Sequence, residues 1–452
     1  MDAVPIIPGS LRCNEFDFDQ LGDSRPRDGD NDGVGECDIG AREVPTGWNL
    51  PTTFLVNVFD LDEVDALPGD ARCDSSSLPG DQCTLRAAAM ESNALPGANV
   101  IQVPGGNTVL LTRAAAAGDP AASGDLQLVE AAEIVGSAGL PAARAQVKAS
   151  HGDRIFDLVG VDDYRIADLT LSGGGSAEKG GAIRVAGSGE VLLERLELTG
   201  NSADGAGGAL AVASGKVTVI DSDLHANTSP GDGTAISISG ELTLERSSIR
   251  GNLDSSPATP GRALMVENGG TLLLRNSTVS GNQGDGVGVE AGGTLGTRAS
   301  TIVGNGAFGV RFQPGPGAET LALHTTLLTG NVAGGCLISS GSPDTLSVDR
   351  YNLSQDGGCG IGAGGSNLVT TAAGLTSLQV DPGLWSAYHL PLPGSPAIDA
   401  GHPVVGGVGC PTEDQHRVAR PVDGDNDGDA RCDIGAVEAP RPSMLFYDGF
   451  EP

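Results

Sequence analysis

VLLERLELTGN at residues 191–201, VTVIDSDLHAN at 217–227 and LTLERSSIRGN at 242–252 set the pattern of this chain. Each stretch begins with aliphatic residues at alternate positions and carries another aliphatic residue three places before its closing asparagine. Alternation with a period of two is typical of short β-strands that bury one face. The stretches therefore predict pairs of short strands, each pair ending in a tight turn.

The same unit recurs over residues 169–331. Its closing asparagines are Asn201, Asn227, Asn252, Asn282, Asn305 and Asn331, spaced by 26, 25, 30, 23 and 26 residues. A second alternating pair opens each unit after a glycine, as in Ile183 and Val185, and only the fifth unit places Thr297 at an aliphatic position. A period in this range without any helix-length segment predicts a β-solenoid.

We expect the six asparagines to form a structural ladder at one corner of the solenoid rather than a ligand site. Gly-Gly-Ala-Ile at 180–183 and Gly-Gly-Ala-Leu at 207–210 resemble the repeats of polymorphic outer-membrane proteins and other right-handed parallel β-helix repeat proteins. The resemblance implies an all-β fold, a right-handed parallel β-helix of the pectin-lyase-like kind, over residues 113–345.

Composition excludes several classes of partner. The formal net charge is −32, with 26 basic against 58 acidic residues. Such a field repels phosphate backbones and anionic lipids, so we expect no nucleic-acid partner and no membrane-surface binding. No apolar run approaches the roughly 18 residues that cross a bilayer, so no membrane span is predicted.

The eight cysteines form four neighbouring pairs along the sequence. They are Cys13 and Cys37, Cys73 and Cys83, Cys336 and Cys359, and Cys410 and Cys432. An even count with local spacing predicts disulfides and an oxidising compartment, secreted or at the cell surface of a bacterium. Free buried thiols are the alternative, whereas zinc is disfavoured because there is no Cys-x-x-Cys motif.

Residues 46–112 differ from the repeats. Cys83-Thr84-Leu85-Arg86-Ala87-Ala88-Ala89 predicts a short helix that Thr84 caps, and Asn99-Val100-Ile101-Gln102-Val103 predicts a strand. This region resembles the CSLREA-type domain that precedes β-helices in secreted bacterial proteins, with Thr84 in place of the usual serine and Ala87 in place of the glutamate. The resemblance implies a helix that covers the open end of the solenoid.

Residues 346–439 contain Pro396-Ala397-Ile398-Asp399-Ala400-Gly401 and end on Cys432-Asp433-Ile434-Gly435-Ala436. They resemble the choice-of-anchor Q domain, which closes β-helices in exported proteins. Cys37-Asp38-Ile39-Gly40-Ala41 repeats that ending, so residues 1–45 are expected to be the tail of a preceding equivalent module, with the true start upstream and no signal peptide in this chain. Residues 440–452 form a C-terminal tail, in which Leu445-Phe446-Tyr447-Asp448-Gly449-Phe450-Glu451 resembles a short ending of exported proteins of some gammaproteobacteria.

Two acidic loops are the candidate metal sites. Alternate aspartates followed by glycine match the start of calcium-binding loops, in which carboxylates converge on one hard cation. The candidate ligands are Asp28, Asp30, Asp32 and Asp38 in the first loop, and Asp423, Asp425, Asp427 and Asp433 in the second. Calcium is the predicted cofactor, and a solvated acidic turn without metal is the alternative.

No residue set forms a convincing active site. Asp221 and Asp223 are the closest match to a glycosidase carboxylate pair, interpreted as lying on one strand and facing outward. Arg195 and Arg246 occupy equivalent coil positions, and surface ion pairs with the neighbouring glutamates explain them. Aromatic residues, which often provide sugar platforms, make up only 3% of the chain.

The sequence therefore predicts a non-catalytic surface or extracellular module for adhesion or glycan contact. Its expected partner is a polysaccharide or another surface protein, and the chain itself is expected to be a monomer. A calcium-dependent polysaccharide lyase or hydrolase is the first alternative. A structural stalk in a longer tandem protein is the second, because the ending of residues 1–45 duplicates that of the C-terminal module.

Overall fold

The structure is a computed structural model, which describes residues 51–441 and the backbone of two strands nearer to the N terminus. Within 51–441 it leaves out 77–79, 81, 117–120, 138–143, 257–260, 268, 316–318, 340, 349, 363–365, 382 and 407–408. The two N-terminal strands, β1 (Asp2–Val4) and β2 (Cys37–Asp38), pair in the antiparallel sense.

Three long parallel sheets, here called A, B and C, form the walls of a solenoid. Sheet A comprises β3 (Thr53–Leu55), β4 (Asn99–Val103), β7 (Ala132–Gly136), β10 (Tyr164–Ala167), β14 (Glu190–Glu194), β18 (Lys216–Ile220), β22 (Glu241–Glu245), β26 (Thr271–Arg275), β29 (Thr294–Arg298), β32 (Thr320–His324) and β35 (Thr345–Ser347). Sheet B comprises β5 (Thr108–Leu111), β8 (Ala145–Ala149), β11 (Leu169–Ser172), β15 (Glu197–Thr199), β19 (Asp223–His225), β23 (Ser248–Arg250), β27 (Thr278–Ser280), β30 (Thr301–Val303), β33 (Leu327–Thr329), β36 (Leu353–Ser354) and β37 (Leu368–Val369).

Sheet C and a short fourth sheet complete each turn. Sheet C comprises β6 (Leu126–Leu128), β9 (Phe156–Leu158), β13 (Ile183–Val185), β17 (Leu210–Val212), β21 (Ile236–Ile238), β25 (Arg262–Val266), β28 (Asp285–Val289), β31 (Phe308–Phe312) and β34 (Gly334–Ile338). The short sheet comprises β12 (Gly175–Ser176), β16 (Ser202–Ala203), β20 (Thr228–Ser229) and β24 (Leu253–Asp254). In each central turn the chain passes through sheets C, A and B in that order, so consecutive turns stack as a parallel β-solenoid.

The interior of the solenoid is built from columns of equivalent residues. One column in sheet A runs Ile166, Leu193, Val219, Leu244, Leu274, Thr297 and Leu323, and all seven are buried. The predicted alternation is thereby confirmed. Thr297, the exception in the sequence pattern, meets its hydrogen-bonding need inside the core because its hydroxyl lies 2.7 Å from the Thr326 hydroxyl.

The six repeat asparagines are buried and joined in one chain of hydrogen bonds. In each step the side-chain oxygen of one asparagine accepts bonds from the backbone N–H and the side-chain amide of the asparagine one turn earlier. The same amide donates to a backbone carbonyl of sheet B, as Asn252 does to Leu224 at 3.1 Å. Gln355 extends the series by accepting from the backbone N–H of Asn331 at 2.9 Å.

Ahead of the repeats lies the helix α1 (Leu85–Ala94), which packs against β4 and β6. Thr84 caps it by accepting a hydrogen bond from the backbone N–H of Ala87 at 3.0 Å. Arg86 is fully buried and its Nε lies 2.6 Å from Asp62 Oδ1. The predicted strand Asn99–Val103 is confirmed as β4, whereas a role of α1 in covering the solenoid end stays a prediction.

Residues 370–441, here called the C-terminal segment, fold back along the outer face of sheet B. Gln415 accepts from Thr278 at 2.7 Å, Gly435 donates to the Thr325 carbonyl at 3.1 Å, and Arg417 reaches Asp221 at 2.6 Å. The contacts of the C-terminal segment along sheet B do not show whether it also closes the end of the solenoid, so that role stays a prediction.

Three of the four predicted disulfides join described residues. They are Cys73–Cys83, Cys336–Cys359 and Cys410–Cys432. The second ties β34 to a short 3₁₀ helix (Gly358–Gly360). Cys13 lies outside the described residues, as does the side chain of Cys37. Among the helices described, none is both long and apolar enough to cross a membrane.

Candidate functional site

A cleft of about 240 Å³ opens between sheet B and the C-terminal segment. One side is formed by residues 383–390, here called the strap, together with Val380 and Asp381. The other side is formed by sheet B and by Arg144, which directly precedes β8. The lining side chains from the solenoid are Arg144, Glu197, Asp223 and Arg250, and those from the strap are Leu384, Trp385, Ser386 and Ala387.

Arg144 is a nearly buried arginine in the lining of the cleft. It directly precedes β8, only 5% of its side chain is exposed, and its guanidinium lies 4.1 Å from the centre of the Trp385 ring. Its Nη1 is 3.8 Å from Glu197 Oε2, which is an ionic contact but not a hydrogen bond. Burial lowers the pKa of the Arg144 guanidinium, since desolvation disfavours its charge.

Glu197 and Asp223 are register partners on the neighbouring strands β15 and β19. His225 lies 3.1 Å from Glu197 Oε1, and Thr170 donates to Oε2 at 2.9 Å. The hydrogen bond from His225 lowers the pKa of Glu197 to about 2, helped by the bond from Thr170. Glu197 is therefore a permanent anion at neutral pH.

Asp223 is held from β23, the next strand of sheet B. Arg250 Nη2 lies 2.7 Å from Asp223 Oδ2, and the Ser248 hydroxyl donates to Oδ1 at 2.6 Å. Because Arg250 also contacts Asp223 through Nε, the guanidinium grips both oxygens of the carboxylate. The charge of Asp223 is thus already compensated within the cleft wall.

A column of ion pairs runs beside the cleft, where sheets A and B meet. Asp168, Arg195, Asp221 and Arg246 occupy the same corner in successive turns, each with a left-handed backbone. Arg195 pairs with Asp168 at 2.7 Å and Arg246 with Asp221 at 2.8 Å, so the column alternates in charge from turn to turn. The predicted contacts of Arg195 and Arg246 with Glu194 and Glu245 are also present.

The interpretation of Asp221 and Asp223 as a pair on one strand was wrong. Strand β18 ends at Ile220 and β19 begins at Asp223, so Asp221 lies in the corner between them with φ of 49°. Asp221 is 5% exposed and pairs with Arg246 and Arg417. The two carboxylates therefore serve separate ion pairs, because the chain turns between them.

The strap is anchored to the outer face of sheet B by polar contacts. The Ala387 N–H donates to the Ser248 hydroxyl at 2.9 Å, and His389 Nε2 lies 2.8 Å from the Ser280 hydroxyl. Gln415 supports the strap from behind by donating to the Ala387 carbonyl at 2.9 Å. Sequence reasoning missed Arg144 and Trp385, and the only signal was that Trp385 is one of two tryptophans in the chain.

The C-terminal acidic loop brings together part of the predicted calcium set. Carboxylate oxygens of Asp399, Asp423 and Asp425 lie within 4.8 Å of one another. Asp399 was not predicted, although it stands in the motif that carried the resemblance; its Oδ2 accepts from the Gly424 N–H at 2.9 Å, which holds it against the loop. Three carboxylates this close suit a hard cation such as calcium.

The other predicted ligands lie apart from this group. Asp427 is exposed and accepts from the backbone N–H of Asp429 at 2.8 Å. Asp433 is buried beside Glu438 and accepts from the Asp399 N–H at 2.8 Å, and burial raises the pKa of Asp433 to about 8. In the N-terminal loop, Asp28, Asp30 and Asp32 lie outside the described residues, as does the side chain of Asp38.

Comparison with known proteins supports the repeat architecture. Residues 164–368 match the family described as "Right handed beta helix region". No curated protein matches the chain. Solved structures with some similarity are the periplasmic alginate epimerase AlgG, at 12% identity and a TM-score of 0.27 over 55% of this chain and 75% of that one, and ORF18 of Geobacillus virus E2, at 14% identity and a TM-score of 0.27 over 57% and 53%. At these scores neither carries a functional argument.

Proposed function

We propose that this protein is an exported, non-catalytic β-helix module that contacts a glycan in the cleft beneath the strap. The cleft itself is the observation that carries the proposal. It combines a half-buried tryptophan, Trp385, with the charged side chains Arg144, Glu197, Asp223 and Arg250. Sugars offer hydroxyl groups and apolar ring faces, and a concave site with fixed polar groups and an indole complements both.

Export is supported by the covalent structure. Three disulfides join described residues, and disulfides persist in oxidising compartments such as the periplasm and the cell exterior. The net charge of −32 favours solubility of the protein outside the cell and disfavours binding to nucleic acid or anionic lipid.

A binding role is favoured over hydrolysis by the state of the carboxylates. A glycosidase needs one carboxyl group protonated as general acid, which requires a raised pKa. The pKa of Glu197 is instead lowered to about 2, and Asp223 is gripped by Arg250. Both groups serve better as fixed hydrogen-bond acceptors for sugar hydroxyls.

Calcium belongs to this proposal as a structural cofactor of the C-terminal segment. The Asp399, Asp423 and Asp425 carboxylates would hold the ion, which would supply the positive charge that offsets their mutual repulsion. Since Asp399 lies on a different stretch of chain from Asp423 and Asp425, the ion would cross-link the segment. Asp423→Asn with Asp425→Asn should remove the calcium-dependent rise in thermal midpoint, and Asp427→Asn should not.

The test incubates the purified protein with plant, algal and host polysaccharides, in calcium and in chelator. Retention of intact polymer, lost in Trp385→Ala and kept in the control Arg165→Met on sheet A, is the expected result. New reducing ends or unsaturated uronide absorbance would overturn the non-catalytic role and favour a calcium-dependent lyase or hydrolase. If the protein neither retains nor cleaves any polymer, the remaining interpretation is a structural stalk in a tandem surface protein.

A further inference from the structure

The Arg144 guanidinium carries hydrogen-bond donors that no residue in the described part of the chain accepts from. Its Nε and Nη1 are fully buried, and no described residue places an acceptor within hydrogen-bonding distance of either. Leaving such donors unpaired is unfavourable, and more so on a charged group. Arg144 faces the cleft, where a bound ligand would supply the missing acceptors.

The carboxylates nearest to Arg144 form their hydrogen bonds with other residues. Glu197 accepts from Thr170 and pairs with His225, so its oxygens lie 3.8 Å or more from Arg144 Nη1 rather than against it. Asp223 is bound on both oxygens by Arg250. The ring of Trp385, stacked 4.1 Å away, offers the guanidinium an attractive face but no acceptor for its N–H groups.

We infer that Arg144 binds an oxyanionic group, a carboxylate or a sulfate, borne by the glycan. A guanidinium presents paired N–H donors whose geometry matches two oxygens of such a group. This inference rests on the proposed glycan function and names the ligand class of the same cleft.

The net charge of the whole molecule further restricts the class of acidic glycan that the cleft can bind. A net charge of −32 repels a dense polyanion at long range, whereas a single buried arginine recognises one acidic group at contact. The ligand is therefore a glycan with isolated acidic groups on otherwise neutral sugars, rather than a continuous polyanion.

The fluorescence of Trp385 provides a direct readout. Because the chain has two tryptophans, Trp48→Phe leaves Trp385 as the only one, and its ring lies against Arg144. This protein is titrated with methyl glucuronide, glucose 6-sulfate, methyl glucoside and sodium acetate. The two oxyanionic sugars should bind at least tenfold more tightly than methyl glucoside, and a response to one of them alone identifies carboxylate or sulfate as the acidic group.

Two variants show whether Arg144 causes this preference. Arg144→Met should abolish it while leaving the thermal midpoint equal or higher, because it removes a buried charge that has no hydrogen bond at Nε or Nη1. Arg144→Lys keeps the charge but loses the paired donors, so it should retain only part of the preference. The matched control is Arg165→Met on sheet A, which changes the net charge by the same amount. The native Arg165 pairs with Glu133 and Glu194 outside the cleft.

Equal binding of methyl glucoside and methyl glucuronide, or an unchanged preference in Arg144→Met, would overturn the inference while the glycan function stands. Acetate binding as tightly as methyl glucuronide would also overturn it, because the sugar would then contribute nothing. Polymer retention that persists in Arg144→Met counts against the inference as well. If no probe binds and no polymer is retained, the proposed function fails together with it.

Discussion

Each ladder asparagine supplies hydrogen-bond partners for backbone groups that would otherwise have none at the corner of a turn. Asn252 accepts from the backbone N–H and the side-chain amide of Asn227, and its own amide donates to Asn282 and to the Leu224 carbonyl. All of these groups are buried, so no solvent can substitute for them. One residue type therefore satisfies two turns at once.

Asn252→Ala should lower the free energy of unfolding by about 2–4 kcal/mol, because it removes the acceptor of two buried donors of Asn227 and the amide that donates to Asn282 and Leu224. Urea denaturation followed by circular dichroism measures the change. Asn107→Ala is the control, since the Asn107 amide donates to the Pro104 and Gly105 carbonyls in a local turn. A loss below 1 kcal/mol in Asn252→Ala would contradict the account.

At the scale of residues, the sequence predicted the ladder and the inward columns because both depend on contacts with the next turn, which the spacing of the repeat encodes. The sequence did not predict the orientation of Asp221. Two residues at alternate positions face the same way only within one strand, and here Asp221 lies in a corner whereas Asp223 begins the next strand. The left-handed backbone at Asp168, Arg195, Asp221 and Arg246 recurs at the repeat spacing, yet the side chains there share neither the sign of their charge nor their size.

The strap is the element on which the cleft depends, and His389 fixes one end of it. His389 Nδ1 lies 2.9 Å from the Thr376 carbonyl, which can only accept, so this nitrogen carries the proton. The other nitrogen, Nε2, then accepts from the Ser280 hydroxyl at 2.8 Å. Both hydrogen bonds fit a neutral imidazole, and burial disfavours the protonated form at this position.

Acid should loosen the strap. Burial lowers the pKa of His389 below its ordinary value near 6.5, so the released imidazole takes up a proton that the anchored one does not. The stabilising contribution is therefore present above pH 6.5 and is lost as the pH falls below it. Trp385 emission in the Trp48→Phe protein should shift to the red between pH 7 and pH 5.

His389→Gln should reduce that acid shift by at least half, because an amide can also donate to Thr376 and accept from Ser280 without titrating. His151→Gln is the control: burial also lowers the pKa of His151, but it precedes β9 and does not belong to the C-terminal segment. A shift of equal size in His389→Gln would assign the acid sensitivity to another group, with His416 beside Tyr388 the first to test.

At the scale of elements, the helix α1 and strand β4 were predictable because their caps and alternation lie within a few residues. The cleft was not, since Trp385 and Arg144 meet only when the C-terminal segment folds back across the turns. The same reason explains why Asp399 was missed as a neighbour of Asp423: loop spacing alone does not show which distant carboxylate approaches.

The solenoid that forms the body of the molecule is a one-dimensional stack, in which each turn contacts its neighbours and stability is divided along the axis. The Cys336–Cys359 disulfide closes a loop near the last turns, with a sequence separation of 23 residues. A loop of this size limits the unfolded chain enough to contribute about 3 kcal/mol. That contribution acts at the C-terminal end of the solenoid.

Replacing both Cys336 and Cys359 by serine should therefore increase hydrogen exchange in β33 and β36 while the amides of Asn227 and Asn252 keep their protection. Hydrogen–deuterium exchange with mass spectrometry resolves the two regions. Serine replacement of Cys73 and Cys83 is the matched control, because that disulfide lies near α1 at the other end. Uniform loss of protection in all turns would show that the stack unfolds as one unit instead.

The backward course of the C-terminal segment along sheet B also has a mechanical consequence. Stretching a solenoid along its axis pulls successive turns apart by loading their strand-to-strand hydrogen bonds one after another. The segment bridges the turns from Asp221 through Thr278 to Thr325, so those turns cannot separate until its side contacts also break. The contact of Trp385 with Arg144 extends this bridge one turn further towards the N terminus. Tension applied to the two ends is therefore borne first by the turns between α1 and Arg144.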